Sequence, residues 1–220
     1  MNRERIVNEV FGGWAKAANG PLPDSESVPE QRIEEAADIL KKAGFKLNEK
    51  TGILEKKTAK KAVLEISFSI TTCDCPELVK IAEIMQEDWK KLGVKSEIKI
   101  FEPGNLNQNV IRTRNYEALL FGEFIGRQPD LFFFWHSSQR FDPGLNIALY
   151  ANAKVDELLE KIREERDSEK RKGHLFDIQK EIQSDIPAIF LYSPDYIYVL
   201  SERIRGFDTE KINIGAERFS

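Results

Sequence analysis

The chain has 220 residues, of which 41% are hydrophobic and 32% charged, and its formal net charge is −4. This length allows one large domain or two small ones, with a core that needs no stabilising disulfide or metal. Because the 33 basic residues are interspersed with the 37 acidic ones, the sequence offers no basic stripe for nucleic acid and no polybasic patch for a membrane. No apolar run approaches the ~18 residues of a membrane span.

The first quarter of the sequence predicts two helices. Segment 3–13 repeats apolar residues at helical spacing and ends at two glycines. Segment 15–31 is rich in Gly, Pro, Ser and Asn, which indicates an irregular connection. Segment 30–45 is an amphipathic helix with Gly44 as its left-handed cap, and segment 48–56 is a small turn.

The middle of the chain alternates strands and helices. Segment 62–72 alternates apolar and polar residues and predicts a half-buried strand. Segment 75–94 is the strongest amphipathic helix, and 95–102 is a strand. Segment 106–115 is a short helix, and 116–124 is a continuous apolar strand that we expect to be buried on both faces.

The last third predicts two more helices and a bent strand. Segment 154–167 is amphipathic, and Ser168 is expected to cap a helix over 169–186. Segment 188–200 predicts a strand with a bend, and residues 208–220 a polar tail. The alternation of helices and strands predicts an α/β fold with a mostly parallel sheet flanked by helices.

Few residues suggest catalysis or metal binding. Cys73 and Cys75 are one residue apart, a spacing that disfavours a mutual disulfide, so we expect two inert thiols at a helix start. A zinc site would need further ligands, and the histidines are only His136 and His174. No G-x-S-x-G, P-loop or H-E-x-x-H motif is present, so the sequence predicts no catalytic residue, metal or cofactor.

Five segments, in order, resemble one family. They are RIEEAADILKKAGF (32–45), EDWKKLGV (87–94), RTRNYEALLFGEF (112–124), QPDLFFF (128–134) and the long segment 150–192, which begins YANAKVDELL and ends DIPAIFLY. Their order and spacing are similar to those of the oligopeptide, dipeptide and nickel type (family 5) of extracellular solute-binding protein of ABC importers.

The resemblance implies that residues 1–220 form a single domain, the C-terminal ligand-binding lobe of a longer two-lobe protein with a type II periplasmic-binding-protein-like fold. Such a lobe is non-catalytic and closes with an N-terminal lobe on a peptide or peptide-like solute, which passes to an ABC permease. The parent protein is expected to be extracytoplasmic, in the periplasm or on the cell surface, and to meet the membrane only through a lipid anchor. The segment MNRERIVNEVFGGW shows no signal-peptide pattern, which by itself indicates either a cytoplasmic chain or a piece whose targeting signal lies elsewhere, and the resemblance implies the second.

The aromatic segment 132–146 follows the predicted strand 116–124 at its carboxyl end, where open α/β sheets bind ligands. Its first three phenylalanines are typical of a core, whereas the following residues combine rings with hydrogen-bonding groups, as small-ligand pockets do. The predicted ligand-binding residues of this region are Glu123, Phe124, Arg127, Trp135, His136, Ser137, Ser138, Gln139 and Asn146.

One departure from the family concerns charge. Peptide binders of the family often carry an acidic residue in this loop to pair with the ligand's α-ammonium group, but Ile125 or Gly126 stands there. Capture of an amino terminus would then fall to Glu123 or Asp130, or Arg127 would instead meet a carboxylate.

Other readings stay open at the sequence level. The chain could be a small stand-alone enzyme or signalling domain that uses the same lobe, or a lone lobe could self-associate through an exposed aromatic face. The sequence does not distinguish a peptide from a nickel complex, opine, sugar or antibiotic as the solute.

Overall fold

A computed structural model describes residues 1–22, 32–59, 62–125 and 130–197, together with residues 199, 201 and 203. Within these residues the helices are α1 (Arg3–Phe11), α2 (Ile33–Lys42), α3 (Pro76–Lys91), α4 (Pro103–Asn105), α5 (Phe132–Trp135), α6 (Ala153–Glu164) and α7 (Ser168–Asp185). The strands are β1 (Ala15–Ala17), β2 (Lys46–Leu47), β3 (Leu54–Lys57), β4 (Val63–Glu65), β5 (Ser67–Cys73), β6 (Lys95–Phe101), β7 (Ala118–Leu119) and β8 (Tyr192–Pro194). Helix α4 continues as a π-helical turn over Leu106–Ile111, and a 3₁₀ turn over Ser137–Gln139 follows α5. The predicted tail lies outside the described residues.

The centre of the fold is a parallel sheet with the order β6-β5-β7. Strand β5 pairs with β6 along its whole length, from Ser67 opposite Lys95 to Cys73 opposite Phe101. Helix α3 connects these two strands, because parallel neighbours need a crossover connection. The predicted α/β fold with a parallel sheet and flanking helices is confirmed.

Two small antiparallel sheets, which the sequence did not predict, accompany the central one. Strands β2, β3 and β4 form a meander, and β1 pairs with β8 so that Ala15 lies opposite Pro194. Each of these strands has four residues or fewer and contains charged or small side chains. Such short strands carry little periodic signal, and the pairing of β1 with β8 joins residues from the two ends of the chain.

The prediction of a continuous strand over 116–124 is wrong. Only Ala118–Leu119 pair with β5. Leu120 makes the last link to the sheet, because its amide donates to the Thr71 carbonyl at 2.8 Å and its carbonyl accepts the Thr72 hydroxyl at 3.0 Å. An apolar run looks the same in a buried strand and in a loop that lies against a core, so its pattern could not locate the strand's end.

The predicted strand 62–72 is divided in two, and its inward face differs from the prediction. Leu64 is exposed, whereas Ser69 is buried. The Ser69 amide and hydroxyl both donate to the Glu117 carboxylate, at 2.8 and 2.6 Å, which satisfies these buried polar groups. These hydrogen bonds also lower the pKa of Glu117.

The five longest helices, α1, α2, α3, α6 and α7, lie where the sequence predicts them, with ends that differ by about three residues or fewer. The helix predicted over 106–115 instead begins at Pro103 and is π-helical over Leu106–Ile111. Helix α3 begins at Pro76 and is followed by Gly93, which has a positive φ of 76°. Helix α7 is capped by Asp167 rather than by Ser168, because the Asp167 carboxylate accepts two first-turn amides, at 2.9 and 3.2 Å.

The expectation of two free thiols is also wrong, since Cys73 and Cys75 form a disulfide. The chain turns sharply at Asp74, and the Cys75 amide donates to the Cys73 carbonyl at 2.8 Å. This turn brings the two Cα atoms to 5.5 Å, within the range that a disulfide can bridge.

Two apolar clusters hold most of the core. The first joins α1 and α3 to the parallel sheet and consists of Ile6, Ile70, Ile81, Ala82, Ile84, Met85, Leu120 and Leu191. The second joins α5, α6 and α7 and consists of Leu131, Trp135, Tyr150, Val155, Leu159, Ile162, Ile178 and Ile182. None of the described helices is long and apolar enough to cross a bilayer.

Replacing Ile81 with alanine should lower the free energy of unfolding by about 2–4 kcal/mol, because the side chain is fully buried against the sheet. Ile39→Ala is the matched control, since Ile39 is 66% exposed on α2 and its truncation should change the same quantity by less than about 0.5 kcal/mol. Urea unfolding of both variants measures the difference. An equal loss of unfolding free energy in the two variants would contradict the placement of Ile81 in the core.

Candidate functional site

The carboxyl ends of the parallel strands lie at one edge of the sheet. β5 and β6 end there at Cys73 and Phe101, and the chain that leaves β7 runs through Glu123 and Phe124. Open α/β sheets bind ligands beyond this edge. The aromatic segment that begins at Phe132 is the next described part of the chain after Asp130 and Leu131.

The aromatic segment folds as a short helix, which the sequence did not predict. The Asp130 carboxylate accepts the Phe132 amide at 3.1 Å at its start. Trp135 is only 3% exposed and packs edge-on against Tyr150, with 6.1 Å between the ring centroids. Its indole nitrogen has no hydrogen-bond partner among the described residues. Trp135 thus lies in the core, which differs from its predicted contact with a ligand.

His136 is largely buried, with its ring stacked on Phe132 at a centroid distance of 4.2 Å. Its Nδ1 atom accepts the Ser138 amide at 3.1 Å, and the other ring nitrogen is Nε2. That Nε2 atom faces Glu160 at 3.4 Å and Asp156 at 4.0 Å. The ring therefore occupies a polar cluster built with two carboxylates of α6, and sequence reasoning had missed both of them.

Three polar residues follow His136 and turn away from the core. The Ser137 hydroxyl and amide both donate to the Asp156 carboxylate, the amide at 2.8 Å. Ser138 is exposed, and its hydroxyl accepts the Gln139 side-chain amide at 3.0 Å. Ser137 and Gln139 are half-buried. Of the predicted set, these residues keep hydrogen-bonding groups at the surface.

Asn146 is fully buried and clips the end of this segment to its start. Its side-chain amide donates to the carbonyl oxygens of His136 at 3.1 Å and Tyr150 at 2.9 Å. Its side-chain oxygen accepts the Tyr150 amide at 3.0 Å. These three hydrogen bonds are made within the protein. The Asn146 side chain therefore stabilises the segment, which differs from its predicted contact with a ligand.

Arg114 holds the same loop from the other side. Its guanidinium donates to the carbonyl oxygens of Arg140 at 2.9 Å and Gly144 at 2.7 Å. Arg112 makes two hydrogen bonds of 2.9 Å to Asp142, which lower the pKa of that carboxyl. Both arginines lie in segment RTRNYE, where the sequence indicated a family resemblance but not this anchoring role.

Glu123 lies in the chain that leaves β7 at the carboxyl edge of the sheet. It has no ion-pair or hydrogen-bond partner in the part of the chain that the structure describes, and although the residue is exposed, protein atoms around the carboxyl displace water and raise its pKa to about 8. Asp130, in contrast, accepts the Phe132 amide and pairs with Arg163 at 3.4 Å. Arg127 lies outside the described residues.

A separate cavity of about 460 Å³ lies on the face of the parallel sheet that carries Ser69 and Thr71. None of the predicted ligand-binding residues lines it. Its walls combine hydroxyl, amide and charged groups with two rings, and the residues are Ser69, Thr71, Lys99, Phe101, Asn109, Val110, Arg114, Asn115, Tyr116 and Glu117. This cavity is therefore distinct from the residues predicted at the strand ends.

The fold is that of an α/β domain with the architecture of one lobe of a periplasmic binding protein. The family model described as bacterial extracellular solute-binding proteins, family 5 Middle, matches residues 1–143. The chain belongs to this family. The structural likeness to solved members, given below, confirms the predicted type II periplasmic-binding-protein-like fold.

Two relatives show the extent of the similarity. The oligopeptide-binding protein AppA of Bacillus subtilis is 29% identical over 218 residues, which cover 94% of this chain and 39% of that protein. Its structure with a nonapeptide has a TM-score of 0.78 over 88% of this chain and 40% of the other. NikZ of Campylobacter jejuni, solved with Ni(L-His), is 27% identical, with a TM-score of 0.74 and the same coverage. The chain thus spans about 40% of the length of these relatives.

Asn146→Ala should lower the free energy of unfolding by about 2–4 kcal/mol, because it leaves two carbonyl groups and one amide buried without their partner. Asn107→Ala, at an exposed asparagine of the π-helical turn, is the control and should change it by less than about 0.5 kcal/mol. Chemical unfolding followed by tryptophan fluorescence measures both values. A neutral Asn146→Ala would show that the amide does not hold the segment.

Proposed function

We propose that this chain is the C-terminal ligand-binding lobe of an extracytoplasmic solute-binding protein, which encloses a peptide or peptide-like solute together with an N-terminal lobe and presents it to an ABC permease. Family membership supports the solute-binding role and favours binding over catalysis. The chain's share of its relatives' length leaves room for a second lobe in the parent protein.

The observation that carries the proposal is the rim formed by the chain beyond β7. Phe121 is 46% exposed and Phe124 is 66% exposed, and Glu123, whose carboxyl group has no partner among the described residues, lies between them in sequence. Apolar area beside a carboxyl group that has no partner among the described residues suits a solute with an apolar body and a cationic group, which pairs with the ionised form of the carboxyl. A peptide with a free amino terminus has both.

The side chains of the described residues favour a peptide over a metal ion that side chains would hold directly. The described residues contain no group of three His, Cys, Asp or Glu side chains that could hold a metal ion. A related protein, NikZ, is solved with nickel bound as a histidine complex, and a chelate of that kind is the second candidate solute.

Calorimetry with a defined peptide mixture, on this chain and on its parent protein, tests the two-lobe arrangement. The parent should bind at least ~100-fold more tightly, because the lone lobe supplies only part of the contacts and cannot close on the solute. Equal, tight binding by the chain alone would refute the need for a second lobe.

Glu123→Gln in the parent protein should weaken binding of a peptide with a free amino terminus by about 5–20-fold, because the charged partner of the ammonium group is lost. Asp130→Asn is the matched control and should have a smaller effect on affinity, since Asp130 is already engaged by Arg163 and the Phe132 amide. An N-acetylated peptide should bind both variants and the unaltered protein alike. Titration calorimetry separates these outcomes.

The affinity for an unblocked peptide should also depend on pH. Glu123 has a pKa raised to about 8, so it is mostly neutral at pH 6 and becomes ionised as the pH rises. The peptide's amino terminus loses its proton with a pKa of about 7.7–8.0, so the charged pair is most populated near pH ~8. Affinity should rise from pH 6 to about 8 and then fall, and Glu123→Gln should flatten the rising part. An unchanged profile in that variant would exclude Glu123 as the anchor.

A further inference from the structure

The disulfide between Cys73 and Cys75 lies where the central strand of the sheet meets its longest crossover helix. Cys73 is the last residue of β5, and Cys75 is the N-cap residue of α3. Asp74 forms the turn between them, and its amide donates to the Phe101 carbonyl at 2.8 Å. The disulfide therefore lies at the carboxyl edge of the sheet, from which the chain after β7 runs through Glu123.

A disulfide at this spacing contributes little as a structural link. The stabilisation that a disulfide gives by restricting the unfolded chain grows with the length of the loop that it closes, and here the cysteines are separated by two positions in sequence. The turn is also held without it, by the hydrogen bonds from the Cys75 amide to the Cys73 carbonyl and from the Asp74 amide to Phe101. The reactivity of this disulfide is therefore a better explanation of its presence than its contribution to stability.

The two sulfur-bearing residues differ in access to solvent. Cys73 is 6% exposed and packs with Leu106, Val110 and Ile111. Cys75 is half-buried, next to the exposed Asp74. An external thiol can therefore reach the Cys75 sulfur more readily than the Cys73 sulfur.

The position of Cys75 also gives a reduced sulfur a hydrogen-bonding partner. In the disulfide form no side chain caps the first turn of α3. A released sulfur at the N-cap can accept a hydrogen bond from a first-turn amide, as N-cap oxygens do. The carboxylates of Asp74 and Glu77 flank the same position and oppose negative charge there. The amides at the helix start therefore stabilise a Cys75 thiolate, whereas the two carboxylates destabilise it.

We propose that Cys73 and Cys75 are a reversible thiol–disulfide couple in which Cys75 is the exchanging sulfur and a dithiol is the reaction partner. A thiolate of the dithiol attacks the Cys75 sulfur, and the bonding electron pair leaves with the Cys73 sulfur, which takes up a proton. The second thiol of the partner, as a thiolate, then attacks the partner's sulfur in the mixed disulfide. Cys75 leaves as a thiolate and takes up a proton. Two electrons and two protons pass to the protein, and the partner leaves as a disulfide.

The first test uses the full chain in buffers of reduced and oxidised dithiothreitol. After acid quenching and unfolding, a thiol assay should count no thiols at the oxidising end and two at the reducing end, with both appearing in one two-electron transition. Far-UV circular dichroism should stay unchanged throughout, because the turn and the helix keep their backbone hydrogen bonds. The double variant Cys73→Ser, Cys75→Ser should show neither transition nor change of fold.

Three results of this test would overturn the proposal. They are two thiols in the air-oxidised protein, a disulfide that dithiothreitol reduces only in denaturant, and disulfide-linked dimers in place of the internal bond.

The second test assigns the exchanging sulfur with single variants. In Cys73→Ser the remaining Cys75 thiol should react with iodoacetamide about 10-fold faster or more than the Cys73 thiol does in Cys75→Ser, because it is the more accessible. Both rates should converge in denaturant, which controls for the reagent. Equal rates in the folded variants, or a faster Cys73, would refute the assignment.

Discussion

Strand β5 is hydrogen-bonded to a parallel neighbour on each side, and two of the apolar clusters pack against it. Seven residue pairs join it to β6, and Ile70 and Thr71 also pair with β7. Through Ile70 it supports the apolar cluster with α1 and α3, and through Cys73 it supports the cluster under the π-helical turn. Because parallel strands end at one edge, the direction of β5 also decides where the candidate site lies.

The aromatic segment and the loop after it are held mainly by hydrogen bonds to backbone carbonyl groups. Asn146 links the two ends of the aromatic segment, and Arg114 links the following loop to the π-helical turn. Irregular backbone near a core needs such partners, since an unsatisfied buried carbonyl is costly. These hydrogen bonds fix the backbone of the segment, while Ser138 and Phe133 remain exposed.

The carboxylates of this edge show how environment separates similar groups. Asp130 has an arginine and a backbone amide as partners, whereas Glu123 has neither among the described residues, and the removal of water around it raises its pKa. This difference supports the role proposed for Glu123 and could not be inferred from two acidic residues in a sequence.

The sequence by itself determined the five longest helices, the parallel α/β class and the family, because these depend on local periodicity, caps and motif order. Tertiary structure alone decided the rest. The burial of Trp135 and Asn146, the early end of β7 and the pairing of β1 with β8 all depend on contacts between distant segments. A ring or an amide has the same composition in a core and in a pocket, and only packing distinguishes the two.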